Sequence, residues 1–234
     1  MRLIRNLLNS TKMKTRKIKN VFDAALPESV VTASKLLKKG NVIGIPTDTI
    51  YGLACSANNR EAIKKLYDIK GRNEEKPVAI CVSDFIELKR YGNANHLSDE
   101  LLEKLLPGPV TIVLNKSEHL NNPYLNPGTV KIGIRIPDFN FIRDVCREFS
   151  QPIALTSANK SSERSSLNIE EFNHLWKSLG GIFNGGSLSI AEENRKGSTV
   201  IDLSEPNEYK VIRQGIAYEE TIKSIEEYGF REVL

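Results

Sequence analysis

Residues 130–136 read Val-Lys-Ile-Gly-Ile-Arg-Ile, and alternation this strict leaves a chain little choice of local structure. Side chains of a strand point to opposite faces in turn. Val130, Ile132, Ile134 and Ile136 therefore share one face, and Lys131, Gly133 and Arg135 share the other. Shorter apolar runs predict further strands at 42–45, 78–82, 110–114, 153–155, 182–183, 199–203 and 210–213. Between them, apolar residues recur at helical spacing. That spacing predicts helices over 28–39, stopped by Gly40, over 60–69, and over 84–91, 98–106, 138–149, 169–179 and 219–228. Strands interleaved with helices define an α/β protein, and the uneven connections favour a mixed sheet over a purely parallel one. The segments 160–167 and 185–197 show no apolar period and read as mobile loops.

The 234 residues fit one domain with a basic N-terminal tail. The net charge of +4 is unevenly spread. Residues 1–20 hold seven basic residues and no acid, which leaves 26 of the 33 basic residues against 29 acidic ones over 21–234. The body is thus not a general nucleic-acid-binding surface, and each cation in it matters locally. The tail fits a transit peptide as well as a plain basic tail, because Leu3, Ile4, Leu7 and Leu8 fall at helical spacing beside Arg2 and Arg5. A cytoplasmic protein with partial mitochondrial import is the expectation. No apolar run approaches the ~18–20 residues of a membrane helix, so no membrane insertion is expected. Three unpaired-looking cysteines (Cys55, Cys81 and Cys146) point to a reducing compartment, and His96, His119 and His174 have no metal-ligand spacing. No protein-held metal is expected.

The chemistry concentrates where strands end. Residues 46–53, Pro-Thr-Asp-Thr-Ile-Tyr-Gly-Leu, leave one strand in a cluster of hydroxyls, a carboxylate and a glycine. Thr156-Ser157-Ala158-Asn159 leaves another, and Gly197-Ser198-Thr199 enters a third. Such groups can grip an amino-acid head group or a nucleotide without themselves bearing charge, although turns and caps use them too. Asp48 reads as an acid/base or, more often for a loop aspartate, as a turn cap. Lys70, Arg72, Lys76, Arg135 and Arg213 stand beside Gly, Pro or strand ends, where fixed cations suit phosphate. A small polar substrate beside a polyphosphate follows. The chain lacks the Walker loop, the dinucleotide Gly-x-Gly-x-x-Gly and the Gly-x-Ser-x-Gly elbow.

In order along the chain stand residues 46–53, Lys70-Gly71-Arg72, Lys76-Pro77, Pro107-Gly-Pro-Val-Thr111, Gly133-Ile-Arg-Ile-Pro137, Thr156-Ser-Ala-Asn159, Gly197-Ser-Thr-Val200 and Arg213-x-Gly215. With these eight segments the chain resembles the YrdC/Sua5 family of threonylcarbamoyl-AMP synthases, most of all its single-domain animal members. The resemblance implies a twisted sheet around a large, positively lined concave cleft, in one catalytic domain over 21–234. It implies that L-threonine, bicarbonate and ATP give threonylcarbamoyl-adenylate and pyrophosphate, with Mg²⁺ carried on the ATP phosphates. A separate tRNA-modifying transferase then uses the product at adenosine 37. The implied threonine contacts are Thr47, Thr49, Arg135, Ser157 and Ser198. The implied nucleotide contacts are Lys70, Arg72, Lys76, Asn159 and Arg213, with Lys70, Arg72 and Arg135 positioning the reacting groups. The chain departs from the family at Cys81, where some members carry a threonine-contacting histidine, and at Asn184-Gly185-Gly186, where many have Asp-Gly-Gly. A rival from another class is a double-stranded RNA-binding module without catalysis; absent aromatic clusters and the body's charge speak against it. A second rival is a regulator that senses threonine or a nucleotide.

Overall fold

The computed structural model describes residues 20–71 and 77–233. The basic stretch 1–19, which carries the import expectation, lies outside the described residues, as do Arg72 and Lys76. The elements are β1 (Val21–Asp23), α1 (Pro27–Lys38), β2 (Ile43–Ile45), β3 (Gly52–Ser56), α2 (Arg60–Lys70), β4 (Ala79–Cys81), α3 (Phe85–Tyr91), α4 (Asp99–Leu105), β5 (Val110–Asn115) and β6 (Lys131–Arg135). They continue with α5 (Asn140–Phe149), β7 (Ile153–Ser157), a 3-10 segment (Ile169–Ser178), β8 (Gly181–Asn184), a 3-10 turn (Glu192–Lys196), β9 (Thr199–Asp202), β10 (Glu208–Arg213), α6 (Tyr218–Glu227) and β11 (Arg231–Glu232).

All eleven strands join one sheet in the order β1-β8-β2-β3-β7-β4-β6-β5-β9-β10-β11. Parallel pairs such as β4/β6 and β5/β9 alternate with antiparallel ones such as β3/β7 and β5/β6, so the sheet is mixed. Its two faces are treated differently. On one face, Ile80, Ile112, Ile132 and Ile134 pack with Ile63 and Leu66 of α2, Leu88 of α3 and Leu101 of α4 in a continuous core. On the other, α1 and α5 bring Leu37, Phe141, Ile142 and Val145 onto Ile43, Ala54, Cys81 and Leu155. That cover stops at β4. Beyond it the same face, carrying Lys131, Gly133, Arg135, Thr111 and Val200, lines an open cleft. The alternation of residues 130–136 thus sorts one strand between core and cleft.

Several expectations are corrected. Val130, on the same face by alternation as Ile132, Ile134 and Ile136, is 73% exposed, because β6 begins at Lys131, the last residue paired with β5. Residues 169–179 do not form a regular helix. The segment is 3-10 in type and kinked at Phe172 (φ −119°, ψ 26°), whose fully buried ring packs on Tyr51. β3 escapes a reading by alternation because all five of its residues are buried, so neither face is polar. Its small residues, Gly-Leu-Ala-Cys-Ser, also carry weak strand propensity. Among the described residues, no helix is long and apolar enough to cross a membrane.

Candidate active site

The cleft encloses about 590 Å³ and draws its walls from β3, β4, β5, β6, β7, β9 and the end of β10. Its first wall is the turn after β2. The Thr47 hydroxyl donates to the Ile50 carbonyl (2.7 Å) and accepts from the amides of Thr49 (3.1 Å) and Ile50 (3.2 Å). A hydroxyl that bonds its own backbone two and three residues on fixes a compact turn. Tyr51 then anchors the chain: its hydroxyl donates to Gly186 O (2.7 Å) and accepts from Gly185 N (2.9 Å).

This turn faces Arg135, which is 5% exposed. Arg135 Nη2 donates to Asp48 Oδ1 at 2.6 Å, and Thr49 Oγ1 lies 3.4 Å from both Nη1 and Nη2. Among the described residues, Arg135 Nε is buried with no partner. A buried donor left unpaired costs about 1–3 kcal/mol, so this edge of the guanidinium is ready for an acceptor. On the opposite wall the Arg213 fork closes on Ser198: Nε and Nη2 donate to its carbonyl (3.1 and 2.9 Å), and Nη2 also donates to its hydroxyl (3.0 Å). Ser198 Oγ stands 2.8 Å from Thr111 Oγ1 of β5. Burial first, then the neighbouring Arg135 charge, pushes the Arg213 guanidinium below its ordinary value. Two neighbouring guanidiniums that repel in one cleft mark a place that favours an anion.

The third wall is set by α2. Asn59 caps its start by accepting from Ala62 N, and Gly71 ends it in the left-handed region (φ 57°). This delivers Lys70, 3% exposed, onto the strand end of β7. Its ammonium donates to Ser157 O (2.7 Å), Asn159 O (2.6 Å) and Asn159 Oδ1 (3.0 Å). The sequence placed Lys70 against the nucleotide; the structure shows it tying α2 to the Thr-Ser-Ala-Asn segment that lines the cleft. The Asn159 carboxamide is also engaged on its other side, donating to Glu163 O.

The structure therefore brings Thr47, Arg135, Ser157, Ser198, Lys70, Asn159 and Arg213 to one cleft, with Thr49 in contact with Arg135. One further residue belongs to it. Thr111 sits in a quoted segment and alternates onto the cleft face of β5. Asp48 meets Arg135 rather than merely capping a turn. Cys81 is absent from the lining: its thiol lies in the core beneath α5, and burial pushes it up to about 12. The loops at the mouth are joined by Arg195, which donates to Ser165 O (2.6 Å), to both oxygens of Glu171 (2.7 and 2.9 Å) and to Glu192 Oε2 (2.7 Å).

A mixed sheet that leaves half of one face open as a hydroxyl- and arginine-lined cleft defines a class of anion-handling α/β proteins. The chain belongs to the Sua5/YciO/YrdC family, whose model, described as "Telomere recombination", matches residues 35–215. Threonylcarbamoyl-AMP synthase of Bos taurus is 48% identical over 204 residues, covering 86% of this chain and 73% of that protein. The Homo sapiens threonylcarbamoyl-AMP synthase is 45% identical over 209 residues, covering 88% and 74%. Among solved structures, P. abyssi Sua5 complexed with L-threonine superposes with a TM-score of 0.77 at 28% identity, over 88% of this chain and 59% of that one. This chain thus spans about three fifths of that archaeal protein. E. coli YciO gives a TM-score of 0.73 at 25% identity over 84% and 94%.

Proposed function

We infer that the chain is a threonylcarbamoyl-AMP synthase, an enzyme that joins threonine, bicarbonate and ATP into threonylcarbamoyl-adenylate and releases pyrophosphate. The observation that carries this reading is that Arg135 and Arg213, two neighbouring guanidiniums, line one cleft together with Ser198. In this reading the Arg135 edge receives the threonine carboxylate, beside Thr49, with Ser157 and Ser198 completing the amino-acid pocket. Arg213 and the Lys70–Asn159 corner form the nucleotide side, together with Arg72 and Lys76. Mg²⁺ enters on the ATP phosphates as part of the substrate.

The chemistry asks little of the protein covalently. The threonine nitrogen bonds to carbon dioxide drawn from bicarbonate and loses a proton, giving a carbamate. A carbamate oxygen then bonds to the α-phosphorus while the bond to the bridging oxygen breaks and pyrophosphate leaves. The difficulty is gathering a carboxylate, a carbamate and a triphosphate in one place. Fixed guanidiniums relieve that repulsion and stabilise the charge that spreads during transfer. Holding the reactants in register can supply ~7–11 kcal/mol of the barrier. A transferase that modifies tRNA consumes the product. Cytoplasmic action with import through residues 1–20 completes the proposal.

Pyrophosphate release by the purified full chain tests the reading. It should require threonine, bicarbonate and ATP together. Salt-sensitive RNA binding with no such release would instead favour a binding module.

A further inference from the structure

Asp48 lies between the two threonines of the turn after β2. Its side chain and that of Arg135 are each 7% exposed. One carboxylate oxygen accepts from Arg135 Nη2 at 2.6 Å, and the other accepts from the backbone amide of Asp138 at 3.0 Å. The carboxylate therefore ties the exit of β2 to the exit of β6. It is itself held from both ends, by the Thr47 turn to which it belongs and by the Asp138 amide at the exit of β6. A guanidinium is a planar fork, so fixing one Nη fixes the direction of the remaining edge. The edge left over includes the unpartnered Nε.

We propose that Asp48 is a positioning residue that aims Arg135 at the carboxylate of the amino-acid substrate. This rests on the reading of the cleft given above. Asp48 touches no substrate; it acts through Arg135. A buried pair of this kind loses most when one partner is removed, because the other charge is left uncompensated. Removing Asp48 frees the guanidinium to turn, and the carboxylate loses its fixed receptor. The nucleotide side, built on Arg213 and Lys70, does not depend on Asp48.

The test compares wild type with Asp48→Glu, Asp48→Asn and Asp48→Ala, using L-threonine and L-threoninamide, which lacks the carboxylate. Threonine binding is followed by calorimetry and turnover by pyrophosphate release, with melting temperatures recorded for each variant. Glu keeps two acceptor oxygens, Asn keeps one, and Ala keeps none. The expected order of threonine KM is wild type, Glu, Asn, Ala, with Ala raised about tenfold or more and the ATP KM within about twofold. The preference for threonine over its amide should collapse in Asp48→Ala. A parallel change in both KM values and kcat would show a merely structural role and overturn the proposal, as would an unchanged threonine KM or amide preference. Wild type that neither binds nor uses threonine would overturn the reading of the cleft and this inference with it; active wild type beside an unaffected Asp48→Ala would overturn this inference alone.

Discussion

Arg135 concentrates the argument at the scale of single residues. It is buried, fixed on one side and unpaired on the other. A hydrogen bond to a charged group contributes ~1.5–3 kcal/mol, so Arg135→Ala should raise the threonine KM about tenfold or more. An unchanged KM would remove Arg135 from the pocket. Gly215 is a second exacting position, since a Cβ there would lie 2.2 Å from Ser198 C and Thr199 N. Gly215→Ala must push the Ser198 backbone away from Arg213. It should lower the melting temperature and raise the ATP KM, both measurable on the purified variant. Much of the site was legible in sequence because its residues fall at strand ends, where side chains can meet without a long-range contact being known. What was not legible is how each hydrogen bond is used. Lys70 reads as a cation suited to phosphate and Asp48 as an acid/base or a turn cap until the fold brings Asn159 to one and Arg135 to the other.

At the scale of elements, sequence signals worked wherever one side of a strand or helix is polar. β6 and α2 follow their expected periods, and α2 carries both of its end signals. The signals failed where tertiary burial erased the contrast, as in β3, or bent the backbone, as at Phe172. The segments 160–167 and 185–197 lack an apolar period and read as mobile loops. In the structure Arg195, with 12% of its side chain exposed, clasps one to the other through Glu171. The Arg195 hydrogen bonds hold the Glu171 carboxyl down to about 2, from an ordinary value of 4.5. Glu171 thus contributes stability that is fully present above pH 4.5 and is lost progressively as pH falls from there through about 2. Hydrogen exchange at pH 5 should therefore match that at pH 7, after correction for the intrinsic rate, in residues 160–167 and 185–197. With charged hydrogen bonds at ~1.5–3 kcal/mol each, Arg195→Ala should speed exchange in both segments about tenfold or more. Unchanged exchange in the variant would show that the clasp does not restrain the loops. Threonine with ATP should slow exchange there, since closure over the cleft protects the carbamate and the adenylate from water.

The whole molecule is a sheet used twice. One face is sealed by α2, α3 and α4; the other is sealed by α1 and α5 only as far as β4, and the remainder is the cleft. That asymmetry places charged side chains on a floor whose reverse is core, so the cations hold position. The central claim is that this one cleft joins threonine to ATP through a carbamate. Radiolabelled bicarbonate tests it most directly, with the label followed into the nucleotide product alongside pyrophosphate. One label should appear in an adenylate for each pyrophosphate released, only when threonine and ATP are both present, and both signals should be lost together at low threonine in Arg135→Ala. Pyrophosphate release without threonine, or an adenylate that carries no label, would contradict it.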